Sequence, residues 1–159
     1  MTGTDQSVAK VARLASERGL SVAAAESLTC GLIASRLGAG PDASEWFQGS
    51  VVAYRERVKF DVLGVREGPV VTAECAEQMA AGVRRVLGAD VAVAATGVGG
   101  PDPSEGEPPG TVYLAVSSDR GTVAHRLDID GDDPDQILDE TTRAALELLV
   151  ETLDGIDPD

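Results

Sequence analysis

The strand-to-helix transition of this chain lies at residues 22–31, Val22-Ala23-Ala24-Ala25-Glu26-Ser27-Leu28-Thr29-Cys30-Gly31. Its small apolar residues predict a buried strand, and the apolar pattern of residues 32–37 predicts a helix directly afterwards. Ser27 is therefore placed where free backbone N–H groups and the positive end of a helix dipole would meet an oxyanion or a phosphate. The alternative is that Ser27 or Thr29 only caps the helix, and the local sequence by itself favours that structural role.

Length and composition indicate one compact domain. The 159 residues are 43% hydrophobic, which is enough for one hydrophobic core, but the chain is too short for two domains of ordinary size. We expect residues 1–153 to form the domain and residues 154–159 to be a frayed acidic tail. No stretch has the length of a membrane span, and the N-terminus lacks the basic and apolar regions of a signal peptide. We therefore expect a cytoplasmic location and no membrane partner.

The charge balance is strongly acidic. A formal net charge of −14 argues against nucleic acid as a partner, because binding phosphates requires a basic face. Lysine occurs only at Lys10 and Lys59, and arginine supplies the other basic residues. This composition would suit a high-salt cytoplasm, in which repulsion between surface carboxylates is screened. Cys30, Cys75 and the single His125 match neither a zinc site nor a disulfide framework, so we expect no metal and no cofactor.

Alternating helices and strands predict an α/β fold, a single layered domain whose mixed, mostly parallel sheet carries helices on its faces. The predicted helices are residues 7–18, 32–37, 55–63, 72–87 and 135–153, and the predicted strands are residues 22–25, 49–54, 91–95, 111–116 and 122–129. Residues 119–121 are expected to join the last two strands as a hairpin, which makes part of the sheet antiparallel.

A second loop of interest, Thr96-Gly97-Val98-Gly99-Gly100-Pro101, follows the apolar strand at residues 91–95. Because parallel strands end at the same edge of a sheet, this loop and the Ser27 turn predict a pocket between them. The glycines would let backbone N–H groups approach a phosphate closely. Their spacing fits neither the Walker loop nor the dinucleotide-binding fingerprint, so a purely structural turn is the alternative.

The segment Tyr54-Arg55-Glu56-Arg57-Val58-Lys59 places a phenol and an amine within about one and a half helical turns. A lysine near a serine can act as its base if burial lowers the lysine pKa, and Tyr54 could orient it or relay a proton. The alternative is a surface lysine beside a half-buried tyrosine. Arginine cannot serve as a general base, so a lysine kept here in an arginine-rich chain favours the catalytic interpretation.

Taken together, these segments resemble the CinA C-terminal domain family, which includes the nicotinamide-nucleotide amidohydrolases. The family's A-E-S-C-T-G-G-L is matched by residues 25–32, and its V-A-Y-S-N-E-A-K by residues 52–59 with the tyrosine-to-lysine spacing kept. The family's T-G-I-A-G-P and K-P-V-G-T-V correspond to residues 96–101 and 108–112. The resemblance covers nearly the whole chain, and several motifs in the same order make chance agreement improbable.

The resemblance implies hydrolysis of the carboxamide of nicotinamide mononucleotide to nicotinate mononucleotide and ammonia, without a metal. Carried over by position, Ser27 is the nucleophile, Lys59 its base and Tyr54 a supporting hydroxyl. The residues expected to bind substrate are Glu26, Thr29, Cys30, Gly31, Thr96, Gly97, Gly99 and Gly100, with backbone N–H groups of residues 29–31 as oxyanion donors. The family also implies a homo-oligomer and a small-molecule nucleotide as the partner.

Three departures from the family pattern keep a second hypothesis open. Leu28 stands where the family has cysteine, Cys30 where it has glycine, and Asp133 where it has an arginine before the last helix. Residues 102–105 add acidic charge close to the expected phosphate site, which would repel a nucleotide. The alternative function is therefore a family member that binds a nucleotide without hydrolysing it, or that acts on a related amide.

Overall fold

A computed structural model describes residues 2–158. Its helices are α1 (Gly3–Arg18), α2 (Leu32–Gly38), α3 (Ala43–Trp46), α4 (Glu56–Leu63), α5 (Ala73–Leu87) and α6 (Pro134–Asp154), and its strands are β1 (Val22–Glu26), β2 (Phe47–Val52), β3 (Val91–Gly97), β4 (Thr111–Ser118) and β5 (Gly121–Asp128). The five strands form one sheet in the order β2-β1-β3-β4-β5. Strands β1, β2 and β3 pair in parallel, and β4 pairs antiparallel with both β3 and β5. The predicted α/β fold class is confirmed.

The two faces of the sheet carry separate cores. Residues of α1, α2 and α6 pack on one face. The other face, built from Ala23, Ala25, Ala92 and Ala94, packs against α5 and the end of α4. Alanine side chains are short, so α5 lies close to the strands. No helix among residues 2–158 is both long and apolar enough to cross a membrane.

The neighbouring strands β1 and β2 lead to opposite faces of the sheet. The chain after β1 continues to α2 on one face, and the chain after β2 continues to α4 on the other. In a sheet of the order β2-β1-β3, the connection of β1 runs towards β2 and that of β3 towards β4, so the crevice in which α/β proteins bind ligands lies at the carboxyl ends of β1 and β3. Ser27 follows β1 directly, so the fold places it at this crevice.

Several element boundaries differ from the sequence prediction. Helix α1 begins at Gly3 rather than at residue 7, because Thr2 and Asp5 form a capping box. Strand β2 runs from Phe47 to Val52, so Tyr54 lies outside it. The short helix α3 was not predicted. At the end of this helix, the indole Nε1 of Trp46 donates a hydrogen bond of 2.8 Å to the Pro41 carbonyl.

The expectation that the chain frays from residue 154 is wrong. Helix α6 includes Asp154, and the Ile156 side chain packs against the core. Arg18 Nε donates a hydrogen bond of 2.6 Å to the Ile156 carbonyl, which ties the segment to α1. Residue 159 lies outside the described residues.

Helices α4 and α5 meet at a glycine. A Cβ atom at Gly82 of α5 would overlap the backbone carbonyl of Leu63, the last residue of α4. Backbone atoms cannot move aside as the end of a flexible side chain can, so this position accepts no larger residue without displacing α4. Because α4 carries Lys59, the contact at Gly82 also fixes the position of that lysine.

We predict that Gly82→Ala lowers the free energy of unfolding by about 2–3 kcal/mol, since it forces a methyl group against the Leu63 carbonyl. The measurement is urea denaturation followed by circular dichroism. Gly3→Ala is the matched control, because nothing lies within 4 Å of a Cβ at Gly3, and its effect should stay within about 0.5 kcal/mol. Equal stability of the two variants would show that α4 and α5 are not held in tight contact at this point.

Candidate active site

Ser27 lies directly after β1 with its hydroxyl uncommitted. Its backbone N–H donates to the Ala95 carbonyl at 3.0 Å, which extends the pairing of β1 with β3 by one residue. The residue is 7% exposed, and among residues 2–158 its Oγ has no hydrogen-bond partner and is not sealed from solvent. Helix α2 begins only at Leu32, so Ser27 is too far from the helix start to cap it. The hydroxyl is therefore free for chemistry.

The capping role belongs to Glu26. Its carboxylate is fully buried. Its two oxygens accept hydrogen bonds from Thr29 Oγ1 (2.9 Å), Gly31 N (3.2 Å), Ile33 N (2.9 Å), Ala34 N (3.0 Å) and Ser50 Oγ (2.9 Å). A carboxylate at a helix N-terminus is stabilised by the dipole and by the unpaired N–H groups there. The side chains of Glu26 and Thr29 are thus engaged within the protein, whereas the sequence interpretation had assigned them to substrate.

The turn after Ser27 leaves two backbone donors unused. Cys30 N donates to the Ser27 carbonyl and Gly31 N to the Glu26 carboxylate, which removes two of the expected oxyanion donors. Within residues 2–158, the N–H groups of Leu28 and Thr29 have no acceptor. Two neighbouring free donors beside a nucleophile are what an oxyanion hole requires. Cys30 and Gly31, with φ of 50° and 98°, give the turn its left-handed course, and the Cys30 thiol is exposed.

Lys59 is buried beneath the same edge of the sheet. It is 1% exposed, and its Nζ donates to the carbonyls of Ala53 at 2.8 Å and Tyr54 at 3.1 Å. Burial penalises the charged ammonium and lowers the pKa of Lys59. The charged ammonium has three hydrogens, so one donor stays free beyond these two contacts. The neutral amine has two hydrogens for the same contacts and keeps a lone pair. Lys59 therefore gives up its proton more readily than an ordinary lysine does.

One residue links the lysine to the serine turn. Ala53 accepts from Lys59 Nζ through its carbonyl and donates its own N–H to the Glu26 carbonyl at 2.7 Å. Ser27 follows Glu26 in the chain, so its backbone lies one residue from this contact. The structure thus places Ser27 and Lys59 Nζ at the same edge of the sheet, at the ends of β1 and β2.

Tyr54 is placed differently from the expectation. Its side chain is 68% exposed, and its phenol has no hydrogen-bond partner among residues 2–158. The contact with Lys59 is made by the Tyr54 carbonyl. Since β2 ends at Val52, the alternation of the strand does not turn the Tyr54 ring towards the core. Tyr54 borders the site, and its hydroxyl is not in contact with the lysine.

The end of β3, with Thr96 and Gly97, and the loop after it contact the site mainly through their backbone. Thr96 is 1% exposed, and its Oγ1 donates to the Val70 carbonyl at 2.9 Å, so this hydroxyl is already used. A Cβ at Gly97 would press against Thr111 of β4, which explains the glycine by packing. A Cβ at Gly99 would lie 3.7 Å from Cβ of Leu28. The loop after β3 therefore reaches the Ser27 turn at Gly99, as the sequence predicted.

Gly100 has a structural reason of its own. Its φ of 76° lies in the left-handed region, and a Cβ there would lie 3.0 Å from the Asp132 carbonyl. The segment before α6 is thereby held against this loop. Asp133, which replaces the family's arginine, accepts from Asp135 N at 3.1 Å and caps α6.

The sequence analysis did not identify three further residues near the site. Cys75 on α5 is buried, and burial raises the pKa of its thiol to about 11, so it is uncharged at neutral pH. Thr111 has a buried Oγ1 without a partner among residues 2–158. Glu105, in the loop after β3, accepts hydrogen bonds from Val70 N and Val71 N. Of these three, only Glu105 has a sequence signal, the acidic charge of residues 102–105. The sequence analysis interprets that charge as repelling phosphate.

Two arginines late in the chain are held in ion pairs. Arg126 on β5 is paired with Asp128 at 3.1 Å and with Glu107 at 3.6 Å, and Arg143 on α6 is paired with Glu147 at 3.0 Å. Across residues 2–158, no three histidine, cysteine, aspartate or glutamate side chains are grouped to hold a metal ion.

Comparison with known proteins gives one consistent result. Residues 4–153 match the model of the CinA C-terminal domain family. A CinA-like protein from Frankia casuarinae is 41% identical over 145 residues, covering 88% of this chain and 33% of that protein. The chain spans about a third of the length of the curated relatives it matches.

Solved structures agree over nearly the whole chain. A CinA superfamily protein from Klebsiella pneumoniae 700603 is 31% identical, with a TM-score of 0.91 over 96% of this chain and 99% of that chain. A competence/damage inducible protein from Agrobacterium tumefaciens is also 31% identical, with a TM-score of 0.90 over 97% of each chain. The sequence motifs, the fold and these matches lead to the same assignment: the chain belongs to the CinA C-terminal domain family.

Proposed function

We propose that this protein is a metal-independent serine amidohydrolase that deamidates nicotinamide mononucleotide to nicotinate mononucleotide and ammonia. The observation that carries the proposal is the position of an uncommitted Ser27 hydroxyl and a buried Lys59 amine at the same edge of the sheet. The family resemblance supports the substrate, since this family includes the nicotinamide-nucleotide amidohydrolases. The implied homo-oligomer stays a prediction.

The first half of the proposed reaction acylates Ser27. Neutral Lys59 takes the proton from Ser27 Oγ as that oxygen attacks the carboxamide carbon. The carbonyl oxygen becomes an oxyanion, for which the free N–H groups of Leu28 and Thr29 are the available donors. The intermediate then collapses, the C–N bond breaks, and Lys59 returns the proton to the departing nitrogen, which leaves as ammonia.

The second half hydrolyses the acyl-enzyme. Lys59, neutral again, takes a proton from a water molecule that attacks the ester carbon. The C–O bond to Ser27 breaks, the proton passes to Ser27 Oγ, and nicotinate mononucleotide is released. Tyr54, exposed at the rim, would support the leaving group or the water once a substrate covers it. The loop with Gly99 and Gly100 would contact the remainder of the nucleotide.

The alternative is a nucleotide-binding protein that does not hydrolyse its ligand. It is favoured by the outward-facing Tyr54 and by Asp133, which caps α6 where the family has an arginine. The two functions differ in one observable, because only the amidohydrolase releases ammonia. Binding without ammonia release, in both low and high salt, would favour the alternative.

We predict that Ser27→Ala and Lys59→Met each reduce kcat/KM for nicotinamide mononucleotide by about a thousandfold or more, because each removes one half of the nucleophile–base pair. The measurement is ammonia release by purified protein. Lys10→Met is the matched control, since it removes the other lysine of the chain from an exposed position on α1, and it should retain full activity. Turnover unchanged in Ser27→Ala would refute the catalytic assignment.

We predict that kcat/KM rises with pH through an acid limb whose midpoint is the pKa of Lys59, because the base must be neutral. Burial lowers that pKa, so the limb should lie below the ordinary lysine value of 10.5. The chain has only two lysines, and protein labelled with 13C at lysine Cε should therefore give two titrating signals, assigned with Lys10→Met. A Lys59 midpoint at or above 10.5 would contradict its role as base.

We predict that Tyr54→Phe lowers kcat/KM by about tenfold to a hundredfold, as expected for loss of one assisting proton-transfer group, and less than Ser27→Ala does. The exposed phenol makes few contacts, so stability should not change. The measurement combines ammonia release with thermal unfolding. Wild-type activity in Tyr54→Phe would remove Tyr54 from the mechanism and leave Ser27 and Lys59 unaffected.

A further inference from the structure

The segment between α4 and α5, residues 65–72, follows the helix that carries the buried lysine and is called the strap below. It begins at Val65, whose N–H donates to the Lys59 carbonyl at 3.1 Å. It ends at Thr72, whose Oγ1 accepts from Cys75 N and caps α5. Val65 and Val71 are buried at its two ends. The strap therefore joins the end of the lysine-bearing helix to the start of α5.

The strap is fastened from two sides at Val70. The Val70 carbonyl accepts from Thr96 Oγ1 at 2.9 Å. Its N–H donates to the Glu105 carboxylate at 2.9 and 3.1 Å, and Val71 N donates to the same carboxylate at 2.8 Å. Thr96 follows Ala95, whose carbonyl accepts from Ser27 N. Glu105 is thus joined through Val70 and Thr96 to the strand end that bears the nucleophile.

The loop that presents Glu105 is built for this contact. Ser104 and Glu107 exchange backbone hydrogen bonds of 3.1 and 2.9 Å, which closes a two-residue turn over Glu105 and Gly106. Both turn residues have positive φ, 53° and 76°. Such turns prefer asparagine, aspartate or glycine at the first of these positions, and a glutamate costs about 1 kcal/mol. The contacts that Glu105 makes with the strap offset this cost.

We propose that Glu105 is a positioning residue for the Ser27–Lys59 centre, fastening the loop after β3 to the strap that joins the lysine-bearing helix α4 to α5. The catalytic consequence rests on the proposed amidohydrolase function. The contact itself and its effect on the lysine do not.

Three groups act electrostatically on Lys59 besides its burial: Glu56 on its own helix, Cys75 on α5 and Glu105 on the loop. The Cys75 thiol has a pKa of about 11 and is uncharged at neutral pH, so the two glutamates supply the negative charge. A nearby negative charge favours the ammonium and opposes the effect of burial. Removing the charge of Glu105 should therefore lower the pKa of Lys59 further and leave more of the amine neutral at a given pH.

The experiment compares Glu105→Gln, which keeps an acceptor oxygen and removes the charge, with Glu105→Ala, which removes both. Glu107→Gln is the matched control, because it removes the same charge from the same turn but its carboxylate pairs with Arg126. The readouts are the lysine Cε titration of Lys59 and hydrogen exchange of the Val70 and Val71 N–H groups.

In Glu105→Gln we expect the Lys59 midpoint to fall by roughly 0.3–1 pH unit, and this shift to shrink in 1 M salt, where the Debye length is about 3 Å. In Glu105→Ala the same fall should come with about tenfold faster exchange of the Val70 and Val71 amides. Glu107→Gln should change neither readout. The acid limb of kcat/KM should move with the Lys59 midpoint.

An unchanged Lys59 midpoint in Glu105→Gln would overturn the proposal, as would an equal shift in Glu107→Gln. Unaltered amide exchange in Glu105→Ala would also overturn it, because the strap would then not depend on this contact. If the wild type releases no ammonia from nicotinamide mononucleotide, the proposed function fails, while the titration and exchange data still decide the role of Glu105.

Discussion

Five hydrogen bonds converge on the buried carboxylate of Glu26, and the arrangement of the site depends on them. A buried charge costs several kcal/mol unless it is paired, so the donors from the start of α2, from Thr29 and from Ser50 of β2 are held in place by this requirement. The carboxylate thereby joins β1, β2 and α2 at one point. Ser27 is the next residue, and its geometry follows from that junction.

On the opposite side of the sheet the buried group is the amine of Lys59, and its contacts are of a different kind. Lys59 is buried against two backbone carbonyls instead of a carboxylate, so both its charged and its neutral form can donate hydrogen bonds there. Burial favours the neutral amine, and the negative charges of Glu56 and Glu105 oppose that effect. The pKa of Lys59 thus depends on where α4 and the loop with Glu105 lie, and the contact at Gly82 fixes the position of α4.

The small residues of β1 and β3 explain how so much polar chemistry fits at one edge. Alanines on the α5 side of both strands let that helix approach closely. The strap contacts the loop after β3 through Glu105, and that loop reaches the Ser27 turn at Gly99. Thr96 shows the result. Its hydroxyl holds the strap through Val70 and does not face a ligand. Polar residues around the proposed catalytic pair mainly hold the backbone in place.

The sequence by itself determined the α/β class, the position of Ser27 at a strand end and the approach of the Thr96 loop, because these follow from apolar periodicity and from the common edge of parallel strands. Only the tertiary structure decided which polar groups are free. The hydrogen bond between Glu26 and Ser50 spans 24 positions of the sequence. The bonds of Thr96 and of Glu105 to Val70 span 26 and 35 positions. Hydrogen-bond partners that distant leave no local pattern, so a cap, a substrate ligand and a positioning residue look alike until the chain has folded.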